Sequence, residues 1–181
     1  MSEKIFDTAF TGSASQHDPV EIVIKHLEFA RQYTLSLLDG LADDDWFEMP
    51  QGITHIAWQV GHIAMSQYGL TLFRQRGRAE VDLELMPSSF RKKFSRGTEP
   101  KPDREFYPAP DEIRAILNAV YEQALKEMPT FSQESLDQSV DPPHAAFATN
   151  YGALLFAVDH EMIHAGQIGI LRRLIGKPPV R

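Results

Sequence analysis

Apolar residues recur at three- and four-residue intervals in four separate segments, and the alternation that marks strands is almost absent. The first segment opens with Asp18-Pro19-Val20-Glu21: Asp as the cap, Pro at the first helical position and Glu closing a capping box. Its stripe of Val20, Val23, Leu27, Ala30, Leu37 and Leu41, broken at Thr34, predicts a helix to about Gly40. The second segment takes Thr54 as its cap and His55, Trp58, His62, Met65, Gly69 and Leu72 as its inner stripe, ending near Gly77. Pro110, Asp111 and Glu112 start the third, with Ile113, Leu117, Val120 and Ala124 along one side and Pro129 past its end. The fourth begins near Thr149 or Asn150 and stops at Gly176, with Pro178 and Pro179 beyond.

Four helices of this length predict an all-α four-helix bundle. Residues 41–54 form a short link, whereas 77–110 contain five prolines and no sustained period. That second connection is long enough to cross the bundle from end to end, which lets helices two and three run parallel. Residues 18–181 are expected to form the bundle domain, and residues 1–17 a mobile tail. With 181 residues and 43% hydrophobic content, the chain can build its core without a metal or disulfide staple. It contains no cysteine, so any thiol in its chemistry must arrive on a cosubstrate. No basic region followed by an apolar run marks the N-terminus and no stretch reaches membrane-spanning length, so a soluble cytoplasmic protein without a membrane partner is expected. A net charge of −7 argues against nucleic acid as a partner. Arg91, Lys92, Lys93 and Arg96 cluster in the long connection; they read as a solvated loop, with anion binding as the alternative.

The fourth segment carries His160-Glu161-Met162-Ile163-His164. On a helix a spacing of four turns the side chain by only about 40°, so both imidazoles leave one face and can meet one cation. A catalytic divalent metal usually takes at least three protein ligands, so more must come from elsewhere. The string also reads H-E-x-x-H, in which zinc proteases use the Glu as general base. Those enzymes take their next ligand downstream, yet Ala165 to Arg181 contains no His, Asp or Glu. An upstream ligand is therefore required, and His62, inside the apolar segment Trp58-Gln59-Val60-Gly61-His62-Ile63-Ala64, is the best candidate.

The inner series of the fourth helix, Ala157, His160, His164, Gln167, Leu171 and Leu174, puts three polar residues where a bundle wants Leu or Ile. Buried without partners they would cost a few kcal/mol together. A shared cation removes that cost for the histidines, and Gln167 could orient a ligand or a bound water. The competing reading is a set of hydrogen-bonded core histidines. Glu161, about 100° around the helix from His160, lies either beside the metal, as a ligand or base, or on an interhelical face. His55, two turns before His62, reads as a helix-start or rim residue, and His144 is placed to fold over the site mouth. His17 and His26 read as surface or packing residues.

The segment His55-Ile56-Ala57-Trp58-Gln59-Val60-Gly61-His62-Ile63-Ala64, with His160-Glu161-Met162-Ile163-His164-Ala165-Gly166-Gln167-Ile168 and Leu171-Arg172-Arg173-Leu174, resembles the DinB/YfiT-like superfamily of metal-dependent enzymes. The resemblance spans about Pro19 to Pro179, including the Asp-rich turn before Trp46. It implies an up-down-down-up bundle and a three-ligand metal site, with His62, His160 and His164 as ligands. Members with assigned reactions are thiol-dependent transferases and isomerases that use low-molecular-weight thiols such as bacillithiol or mycothiol; others are hydrolases.

The leading expectation is a divalent-metal-dependent S-transferase or hydrolase acting on a small molecule, with a low-molecular-weight thiol as possible cosubstrate. Imidazole ligands suit zinc, nickel, copper and iron alike, and zinc or nickel is the leading expectation, with iron next. Two other readings compete with it: a non-catalytic metal-binding or stress-response protein, and, more remotely, a metallopeptidase. Ile22, Phe29, Ile63 and Leu70 fall off the inner stripes, and this surplus apolar surface predicts a homodimer.

Overall fold

The computed structural model describes residues 18–180, so the expected tail, with His17, and the terminal Arg181 lie outside the described residues. Four long helices carry the fold: α1 (Pro19–Leu38), α2 (Ile56–Gln67), α3 (Pro110–Glu127) and α4 (Asn150–Leu174). Asp18 caps α1 by accepting from the Val20 amide at 2.9 Å, and Thr149 caps α4 through the Gly152 amide at 3.1 Å. Among the described residues no helix is long and apolar enough to cross a membrane.

Hydrogen bonds between helices fix their directions. Arg31 of α1 bonds Gln67 of α2, the Leu117 carbonyl of α3 and Glu161 of α4, so these four positions share one level. Beyond α2, Arg76 then meets Glu127 at the end of α3, so α2 and α3 advance together. Tyr151 meets the Pro19 carbonyl and Arg172 the Leu37 carbonyl, so α1 and α4 also run the same way. Gln75 reaches the Asn150 carbonyl while Gln59 meets His164, which sets α2 antiparallel to α4. The bundle is up-down-down-up, and 77–110 is its crossover.

The start of α2 differs from expectation. His55 is the cap, its Nδ1 accepting from the Trp58 amide at 3.0 Å, and Thr54 instead accepts from the Gln59 side chain at 3.0 Å. Nor does α2 have one inner stripe: Ile56, Ala57, Val60, Ile63 and Ala64 are all buried, because α3, α4 and the crossover surround it. Ile63, expected to add to an exposed patch, therefore lies in the core. Past Gln67 the helix widens into a π segment, Tyr68–Phe73, and one last turn ends at Gly77 with φ 77°.

The crossover folds into short helices, Asp82–Leu85 and Ser88–Phe94, which seal α2 with Leu85, Phe90 and Phe94. Phe94 lies against Gly61 so closely that a Cβ there would sit 2.4 Å from its ring. Before α4, where no strand was expected, β1 (Ser139–His144) and β2 (Phe147–Thr149) form an antiparallel hairpin.

Candidate metal centre

One histidine comes from the buried middle of α2 and two from successive turns of α4. His62, His160 and His164 face one another with ring centroids 5.2, 4.9 and 4.5 Å apart, taken in the order 62–160, 62–164 and 160–164. One ring nitrogen from each lies within 4.8 Å of the others. Nitrogens bound to one tetrahedral cation sit about 3.4 Å apart, so modest ring movements close the cluster on an ion.

The outer bonds aim the rings. The Phe94 carbonyl accepts from His62 Nδ1–H at 2.7 Å, and Gln59 Oε1 accepts from His164 Nδ1–H at 2.5 Å. Each bond fixes the tautomer and leaves an Nε2 lone pair for a metal. Gln59 is held in turn by Thr54, and Trp58 stacks on His62 with centroids 4.8 Å apart and planes 6° from parallel. The crossover steadies that stack, because Thr98 Oγ1 accepts from the Trp58 indole N–H at 3.1 Å.

Burial favours neutral rings. It pushes His164 down to about 3 and His160 down to about 4, with the neighbouring imidazoles adding to the shift. Burial also lowers His62, opposed by its bond to the Phe94 carbonyl. Three neutral imidazoles, two of them tied outward through Nδ1, are a donor set that fits a divalent cation.

A cavity of about 980 Å³ opens between the later turns of α2, α4 and the hairpin, with His62 and His160 in its wall and His164 behind them. His144 also lines it, stacked on Phe147 at 4.2 Å between centroids, and Phe156 stands between Phe147 and His160. Ser66 Oγ lies in the same wall, 3.4 Å from His62 Nε2.

The other expected residues lie elsewhere. Glu161 is buried on the interhelical face, where both carboxylate oxygens accept from Arg31, at 2.8 and 3.2 Å. Gln167 is exposed one turn past His164, and its side chain acts on that ring only weakly, favouring protonation against burial. His55 is buried at the start of α2 beside Phe47 and Tyr107, and His26 is exposed. Sequence reasoning missed Gln59, although a second polar side chain beside His62 in the apolar run Ile56–Ala64 is a signal. It had no means of finding Phe94, which acts through its backbone.

The profile of the DinB superfamily matches residues 26–168, and the chain belongs to that family. No curated protein matches it. The fold is similar to the crystal structure of a conserved protein from Enterococcus faecalis, with a TM-score of 0.67 and 19% identity over 87% of this chain and 98% of the other.

Proposed function

We propose that this DinB-superfamily chain is a divalent-metal-dependent enzyme that acts on a small molecule, as a thiol-dependent S-transferase or a hydrolase. The observation that carries the reading is the cavity of about 980 Å³ opening onto His62 and His160. A structural site closes its metal behind four protein ligands, whereas three ligands beside a substrate-sized cavity suit catalysis. Zinc or nickel suits the imidazole set best, and iron also fits. A cation held there supplies Lewis acidity and lets a water or a thiol act as nucleophile near neutral pH.

The protein's own residues do the rest. Gln59 and the Phe94 carbonyl orient two ligands, and the apolar wall of Met65, Leu70 and Phe156 excludes water from a bound substrate. Ser66 is placed to exchange a hydrogen bond with a substrate atom beside His62. Without cysteine in the chain, a reacting thiol belongs to the cosubstrate. Glu161, occupied by Arg31, is not available as the base that a metallopeptidase of the H-E-x-x-H type requires.

The test is to load the protein with zinc or nickel and assay two reactions: displacement of chloride from 1-chloro-2,4-dinitrobenzene by a low-molecular-weight thiol, and hydrolysis of p-nitrophenyl acetate. Metal-dependent turnover in either, lost in His160→Ala, is expected. Tight metal binding with no metal-dependent turnover across a wider panel of thiols, electrophiles and esters would favour a non-catalytic metal-binding protein.

A further inference from the structure

The wall of the cavity carries a net positive charge although the chain as a whole is acidic. Arg74 and Arg96 both line it, and Asp141 is the one carboxylate in that wall among the described residues. Three other arginines are committed: Arg31 to Glu161, Arg76 to Asp82 and Glu127, and Arg172 to the carbonyls of Leu37, Asp39 and Pro178. Arg74 and Arg96 have no carboxylate or carbonyl partner among the described residues.

Arg74 is also held in place. Its guanidinium lies over the Phe147 ring, 5.3 Å from the centroid, and that ring is itself buried and stacked against His144. Stacking fixes the plane of a guanidinium while leaving its in-plane N–H edge free, and that fork matches the two oxygens of a carboxylate or phosphate. Arg96 comes from the crossover, two residues beyond the Phe94 carbonyl that steadies His62. Apolar side chains share the wall with them, Leu70, Phe73 and Phe156 among these, and offer a surface for the apolar part of a bound molecule.

We infer that the cavity selects a small molecule with an oxyanion head and an apolar body, the head seated on Arg74 and Arg96 and the body reaching toward the three histidines. This rests on the cavity being the substrate site, as proposed above, and it adds the substrate class. Two guanidiniums outweigh the single Asp141 carboxylate, so the attraction is net.

The probes are 4-phenylbutyrate, 2-phenylethyl phosphate and the neutral 4-phenylbutyramide, titrated calorimetrically into metal-free and zinc-loaded protein. The anions are expected to bind at least about fivefold more tightly than the amide in both forms. Arg74→Gln and Arg96→Gln should each erase most of that preference with zinc content unchanged, whereas Arg91→Gln, an equally exposed arginine outside the cavity, should not. The ratio between the two anions tells whether the head is a carboxylate or a phosphate. Equal affinity for anions and amide, no binding of either anion, a preference that survives both cavity substitutions, or one present only with zinc would overturn the inference. Failure of wild-type protein to take up zinc would instead count against the proposed function, while the metal-free titrations still decide the anion preference.

Discussion

Gln59 has both ends of its amide committed: Nε2 donates to Thr54 Oγ1 at 3.0 Å and Oε1 accepts from His164 at 2.5 Å. A ligand whose outer nitrogen loses its acceptor can rotate or change tautomer, so Gln59→Leu should lower metal affinity about 10- to 100-fold with the fold intact. Competition against a chromophoric chelator measures this, and unchanged affinity would mean that the amide does not orient the ring. His55 provides a second prediction from a single side chain. Burial holds its folded-state pKa down to about 4, against an ordinary value of 6.5. The unfolded chain therefore binds the proton first, and this stability is complete above pH 6.5 and lost as pH falls toward about 4. The loss over that window is on the order of 3 kcal/mol. Urea unfolding of chelated protein should weaken between pH 6.5 and about 5. The weakening should be shallower in His55→Asn, which keeps a capping side chain. Identical slopes would contradict the buried, neutral imidazole.

Arg31 ties all four helices together at one level, and its partner Glu161 is 1% exposed. Removing one partner of a buried pair strands the other charge, so Glu161→Ala should cost about 3–5 kcal/mol. Replacing both by Met should cost less than the two single changes together, as measured by urea unfolding of the single and double variants; additive losses would mean that the pair is not coupled. The elements differ in how far sequence could reveal them. The helices α1 and α3 bury one side only, so their stripes of Val20, Val23, Leu27 and of Ile113, Leu117, Val120 were legible. The surrounded α2 offered no single stripe to read. In α4 the buried face is rotated slightly from the one expected, taking in Glu161, Ala165 and Ile168 while leaving Leu174 60% exposed. That rotation leaves His160 half-buried, where it meets the cavity. The i, i+4 histidines were still visible, because the spacing itself carries the chemistry. The hairpin was not: its strands are short, contain two prolines and take their order from packing on α4.

The whole molecule presents apolar side chains on adjacent parallel helices: Ile22 and Phe29 on α1, 42% and 64% exposed, and Ile163 and Ile170 on α4. Each pair is seven residues apart and so shares a helical face. Light scattering is expected to give twice the chain mass of 20.5 kDa, falling to the monomer value in Phe29→Glu; a wild-type mass of 20.5 kDa would reject pairing. The apolar core shared by the four helices holds the fold at this scale. The most direct measurement of the central claim is elemental analysis of purified protein reconstituted with zinc, for the wild type and for His62→Ala, His160→Ala and His164→Ala, each checked for helical circular dichroism. One tightly held ion per wild-type chain, lost from every variant while helicity remains, is the expected result. Zinc content unchanged in all three variants would show that the three imidazoles do not form a metal site.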